Sequence, residues 1–154
     1  KPDKKHIVIS RVEHPAIRAL CSHLGAQGYK ITELPVNKNG ILDLENLEKS
    51  LTPDTAIVSL MWANNETGVI FPVEEAARMA HDKGILFHTD AEQTAGHLEL
   101  SVRELNLDFL TLSAHKFYAP KQPAGSRRYG CSIRPYFEED LFQYLSFHQL
   151  LLSQ

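Results

Sequence analysis

Short apolar runs alternate with helix-patterned segments through most of this chain, and that alternation narrows the folds open to it. His6–Ser10, Tyr29–Pro35, Ala56–Met61, Ile85–Thr89 and Phe109–Leu112 read as strands. Ala56–Met61 is a nearly continuous apolar run, as expected for a strand covered on both faces. Between the runs, Ile17, Leu20, Cys21 and Leu24 recur at the spacing of one helix face. Pro15 suits the first turn of that helix, where its missing N–H is not needed, and Gly25 and Gly28 supply stop signals. Asn37–Gly40 reads as a turn. Asp43 is a candidate N-cap for a helix carrying Leu44, Leu47 and Leu51. Pro72 opens another, with Glu74 and Glu75 in the dipole-favoured first turn and an end near Gly84. Ser101 with Glu104 fits a capping box. Strands separated by helices pair in parallel, so the pattern predicts an α/β fold: a three-layer sandwich with a mainly parallel sheet.

In open sheets of this kind ligands gather beyond the carboxyl ends of the strands. Asn64-Asn65, Asp90 and Ser113–Lys116 all fall just past such ends. A lysine and a carboxylate, each at the end of a probable strand, suit pyridoxal 5'-phosphate, which needs an amine for its aldehyde and an acid beside its ring nitrogen.

Composition removes several other functions. Hydrophobic residues make up 43% of the 154 and charged residues 23%, enough for a packed core. A net charge of −3 gives no footprint for nucleic acid or an anionic membrane. No apolar run is long enough to span a bilayer, and Lys1–Lys5 lacks the apolar stretch of a signal peptide. Cys21 and Cys131 form no C-x-x-C pair, so neither a disulfide framework nor a cysteine-rich zinc site is expected, and the expected compartment is the cytoplasm. The chain opens without Met and almost directly on a strand, which suggests a start inside a domain. Beyond Lys121 the pattern weakens: Gln122–Gly130 has turn composition, and Tyr136–Leu152 fits a helix from about Glu138 with Leu141, Tyr144, Leu145 and His148 on one face.

Four motifs, in order, carry a family resemblance. They are Val12-Glu13-His14-Pro15, Met61-Trp62-Ala63-Asn64-Asn65-Glu66-Thr67-Gly68, His88-Thr89-Asp90-Ala91-Glu92-Gln93 and Ser113-Ala114-His115-Lys116. Together they resemble the class V aminotransferase superfamily and, within it, the cysteine desulfurases of the nitrogen-fixation type. The resemblance implies a fold type I large domain and pyridoxal phosphate as cofactor. Lys116 would bond the cofactor aldehyde and move protons at the substrate α carbon. Asp90 would pair with the ring nitrogen, and Gln93 would bond the phenolic oxygen. His14 would stack on the ring and assist acid–base steps. Ser113 and His115 would hold the phosphate, and Asn65 would contact the phenolic oxygen and the substrate carboxylate.

L-cysteine would be the substrate, alanine the product, and an enzyme persulfide the sulfur carrier for iron–sulfur cluster assembly. A homodimer and an iron–sulfur scaffold partner follow from the same resemblance, with no nucleic acid or membrane. It covers about residues 6–121, giving a partial cofactor-binding domain over 1–121 and a divergent tail over 122–154. The sulfur-accepting cysteine of such enzymes lies far downstream of the lysine. Little or no turnover is therefore expected of this chain, and Cys131, close after Lys116, is a poor stand-in.

Two other readings remain open. A selenocysteine lyase or another class V aminotransferase would share the cofactor residues. A metal-dependent hydrolase would use His88, Asp90 and His115, with His14. Residue by residue, His88 on its apolar run also reads as a core histidine, Asn64-Asn65 as an ordinary turn, Cys21 as core, and Arg127-Arg128 as a solvated pair.

Overall fold

The computed structural model describes residues 4–94, 107–112 and 125–128. The strands are β1 (His6–Ser10), β2 (Lys30–Leu34), β3 (Thr55–Met61), β4 (Leu86–Asp90), β5 (Phe109–Leu112) and β6 (Gly125–Arg128). The helices are α1 (Pro15–Ala26), α2 (Leu44–Ser50) and α3 (Val73–Asp82). The strands form one sheet in the order β2-β1-β3-β4-β5-β6. All neighbouring pairs are parallel except β5–β6, which is antiparallel.

The helices begin and end where local chemistry directs. His14 caps α1 by accepting from the Ala16 amide, and Pro15 fills the first turn. Gly25 lies within α1; the stop falls at Gly28, whose φ of +92° a side chain would resist. Asp43 caps α2 through the Glu45 amide at 2.9 Å. Pro72 immediately precedes α3, and Glu74 and Glu75 occupy its first turn.

Burial sorts these elements into three layers. Ile17, Leu20, Cys21 and Leu24 of α1 pack on Ile7, Ile9, Ile57 and Phe109. Leu47 of α2 and Val73, Ala76, Ala77 and Ala80 of α3 pack with Val8, Val58, Leu60 and Phe87 on the other face. Alternate residues of β1 thus feed opposite layers, as a strand's two-residue period requires. Each buried Ile or Leu side chain contributes roughly 2 kcal/mol.

Two imidazoles lace the parallel strands together. His6 sets Nδ1 2.8 Å from Thr55 Oγ1 on β3 and Nε2 2.8 Å from Thr32 Oγ1 on β2. His88 sets Nδ1 2.8 Å from Ser59 Oγ on β3 and Nε2 2.8 Å from Thr111 Oγ1 on β5. Each neutral ring can donate through one nitrogen and accept through the other, and the hydroxyls adapt to either tautomer. Both pKa values are lowered, chiefly by burial, that of His88 to about 4.

One segment departs from its composition. Gln122–Gly130 reads as turn, yet Gly125–Arg128 is a strand paired to β5. Pairing with an open sheet edge overrides weak local preference. The expected features at Ser101–Glu104 and beyond Glu138 lie outside the described residues.

The His88 value sets an acid limb of stability. Its folded pKa of about 4 lies below the usual 6.5, so the fold favours the neutral ring. The contribution is complete above pH 6.5 and disappears as pH falls towards 4, with an upper bound of about 3 kcal/mol. Urea unfolding of the wild type against His88→Asn should show their stability difference shrinking across that window; a pH-independent difference would contradict the buried neutral ring.

Candidate functional site

The parallel strands end near one level. Ser10, Met61, Asp90 and Leu112 close β1, β3, β4 and β5. Met61 pairs with Asp90, and Asp90 with Thr111. The order in which strands are added reverses at β1: β2 lies on one side of it and β3 on the other. The helices that follow, α1 after β1 and α3 after β3, pack on opposite faces of the sheet, which makes the carboxyl edge between β1 and β3 the switch point at which such sheets hold ligands.

A cavity of about 430 Å³ occupies that place. Its walls include Arg11, Glu13 and His14 from the loop after β1, and Asn64, Asn65 and Thr67 from the turn after β3. Gly40 also lines it, at a φ of +78° and with a Cβ position 3.3 Å from Val69 Cγ2.

His14 is half-buried, and its Nδ1 accepts from the Ala16 amide at 3.3 Å. The helix cap thus fixes the ring and assigns the hydrogen of a neutral imidazole to Nε2. The two asparagines divide their work. Asn64 is buried, and its Oδ1 accepts from the Glu66 and Thr67 amides and the Thr67 hydroxyl, while its Nδ2 donates to Val12 O. Asn65 is exposed on the cavity wall.

Asp90 is 7% exposed at the tip of β4, and its Oδ1 accepts from the Glu92 amide at 3.0 Å. Its backbone is held on both sides. The Trp62 amide donates to Asp90 O at 2.8 Å, and the next residue's amide, Ala91, donates to Thr111 O at 3.0 Å. Gln93 is half-buried in the turn closed by the Thr94 amide on Ala91 O. Asp90 and Gln93 do not line the cavity that holds His14 and Asn65; they stand at the tip of β4, one strand along from β3.

Ser113, His115 and Lys116 lie outside the described residues; they follow directly on β5, whose partner across the sheet is β4. Cys131 also lies outside them. Both nitrogens of His88 are engaged by hydroxyls within the sheet, so this ring is not available as the central ligand of the metal-hydrolase reading. Among the described residues no group of three His, Cys, Asp or Glu could hold a metal ion.

One residue had no role in the sequence. Glu13 is 4% exposed; Ser10 Oγ donates to its Oε1 at 2.6 Å and the Met61 amide at 2.9 Å, while Oε2 is buried without a partner among the described residues. Burial pushes this carboxyl up to about 8; the Ser10 and Met61 hydrogen bonds pull it down, and nearby Asp90 adds to the rise. Its position inside the Val12–Pro15 motif was the available signal.

The chemistry of this donor set fits a cofactor with a cationic ring: a buried carboxylate on one strand tip, an oriented imidazole on another, and an amide between. Comparison with known proteins points the same way. The aminotransferase class-V family model matches residues 1–121. Cysteine desulfurase NifS of Azotobacter vinelandii is 49% identical over 121 residues, which is 79% of this chain and 30% of that protein. A cysteine desulfurase of Cereibacter sphaeroides is 51% identical over 121 residues, 78% of this chain and 31% of that protein. Among solved structures, a NifS-like protein superposes with a TM-score of 0.77 at 39% identity, covering 88% of this chain and 38% of that one. SspA in complex with cysteine superposes with a TM-score of 0.74 at 34% identity, covering 77% of this chain and 34% of that one. The chain spans about 30% of the length of the curated relatives it matches.

Cys21 is 1% exposed on the inner face of α1, and burial pushes its thiol up to about 12. A thiol so placed is inert. Alkylation at pH 8 followed by peptide mass spectrometry should leave Cys21 unmodified in the folded chain and modify it fully in denaturant. Rapid native labelling of Cys21 would contradict its assignment to the core.

Proposed function

The chain belongs to the class-V aminotransferase family, and on that premise we propose that it is a cysteine desulfurase-type domain built to hold pyridoxal 5'-phosphate. The observation that carries this reading is the buried Asp90 carboxylate, set level with the ends of β1, β3 and β5 on one sheet edge. Class-V aminotransferases and cysteine desulfurases depend on pyridoxal phosphate. When bound, it supplies an aldehyde that takes up an amino acid through nitrogen and a ring that draws electrons from the α carbon.

The chain's own residues would divide the work. Asp90 would pair with the ring nitrogen and favour its protonated form, and the burial of this carboxylate would strengthen that pairing by excluding water. His14, oriented by the α1 cap, would stack on the ring. Gln93 would donate to the phenolic oxygen, and Asn65 would contact that oxygen and the substrate carboxylate. Lys116 would supply the amine for the aldehyde and carry protons at the α carbon, while Ser113 and His115 would hold the phosphate.

The substrate we propose is L-cysteine, supported by the desulfurase relatives and by the solved neighbour in complex with cysteine. Transfer of its sulfur towards iron–sulfur cluster assembly, a homodimeric state, a scaffold partner and a cytoplasmic setting belong to the same proposal. Among the described residues no helix is long and apolar enough to cross a membrane.

Binding of the cofactor separates this reading from its rivals. Chain incubated with pyridoxal phosphate should develop a visible absorption band. Borohydride should then fix a pyridoxyl mass on the peptide containing Lys116. Lys116→Ala should abolish that fixation, and Asp90→Ala should weaken cofactor binding at least about tenfold, the scale of one lost charge-assisted hydrogen bond. No band, or borohydride-fixed mass spread over surface lysines, would overturn the proposal.

A further inference from the structure

The loop between β1 and α1 carries His14 and is only partly buried: Arg11 is exposed, and Val12, which packs against the core, and His14 are half-buried. What anchors it is the acid beside His14. One Glu13 oxygen accepts both from Ser10, at the end of β1, and from the amide of Met61, at the end of β3. Met61 is the residue that pairs with Asp90, so this acid reaches the same strand tip on which Asp90 is registered. A second stitch runs parallel to the first, from Asn64 Nδ2 to Val12 O at 3.3 Å. His14 is the next residue along and turns its Nδ1 into the α1 cap.

We propose that Glu13 is a positioning residue for the cofactor site, tying the tip of β1 to the tip of β3 and so setting where the His14 ring lies relative to Asp90. The proposal rests on the cofactor reading above. It concerns a residue that need not touch the cofactor.

The charge state agrees with the geometry. A carboxylate whose Oε2 is buried with no partner among the described residues, and whose ionisation Asp90 also opposes, is costly. Burial pushes this carboxyl up to about 8, which favours its protonated form at neutral pH. Because Oε1 accepts twice, the proton belongs on Oε2. The neutral acid adds no second negative charge beside Asp90. A neutral acid is also what glutamine imitates, with its carbonyl oxygen in place of Oε1.

The test compares the full chain with Glu13→Gln and Glu13→Ala by nitrogen-15 NMR without cofactor and by pyridoxal phosphate titration. Glu13→Gln should keep the His14 ring resonances, the slow exchange of the Met61 amide and the cofactor affinity of the wild type. Glu13→Ala should shift the His14 resonances, speed Met61 exchange about tenfold and weaken pyridoxal phosphate about tenfold, the scale of one lost hydrogen bond. Should Glu13→Ala fail to fold, Glu13→Asp, one methylene too short to reach Met61, should show the same losses. Unchanged His14 resonances in a folded Glu13→Ala or Glu13→Asp chain would overturn the proposal. So would weakened cofactor binding in Glu13→Gln equal to that in Glu13→Ala. Wild-type chain that binds no pyridoxal phosphate overturns the functional reading instead, and the His14 resonances then decide the positioning claim alone.

Discussion

The reversal of strand order at β1 is the constraint on which the rest of this molecule depends. With β2 on one side and β3 on the other, the helices after β1 and β3 pack on opposite faces of the sheet and leave the edge between them open to a cavity. Parallel pairing then brings the ends of β1, β3, β4 and β5 to one edge. Residues scattered between positions 13 and 90 become neighbours along that edge. The cavity beside His14 and Asn65 is a consequence of topology before it is a consequence of any side chain.

Polar groups inside the sheet then fix what topology leaves loose. Burial pattern sets which residues of each strand face each layer, and directional hydrogen bonds add to the register it specifies. His6 and His88 each hold neighbouring strands at named hydroxyls, and Glu13 holds the tip of β3 at a named amide. These groups are buried neutral, which avoids the desolvation cost of ions while keeping directional bonds. Their combined effect is to place one buried acid, Asp90, at a strand tip where a ligand's charge can meet it.

The layout of the fold was legible because it depends on patterns of short range. Apolar runs marked the parallel strands, and the Ile17–Leu24 stripe marked the buried face of α1 to the residue. Asp43 and Pro72 marked helix starts through local hydrogen bonding and fixed backbone angles. Strand β6 was hidden, since Gly125–Arg128 becomes a strand only by pairing with an edge that no local pattern encodes. At the site, motif order singled out His14, Asn65, Asp90 and Gln93, and the fold sets all four along the carboxyl edge. The burial of Asn64 against the exposure of Asn65 came from the turn geometry and not from their identical chemistry. Glu13 was invisible for a similar reason: an acid next to a histidine ordinarily faces water, and only the approach of Met61 makes it a buried anchor. The roles assigned to Ser113, His115 and Lys116 rest on motif and on their place after β5.

The central claim is that Asp90 holds a protonated ring nitrogen in a site assembled at these strand tips. Nitrogen-15 NMR of the chain loaded with pyridoxal phosphate labelled at the ring nitrogen measures that directly. The account predicts a pyridinium shift that persists well above the pKa of the free cofactor in the wild type and collapses to the neutral pyridine value in Asp90→Asn. A neutral ring nitrogen in the wild type, or a pyridinium shift indifferent to Asp90→Asn, would contradict it.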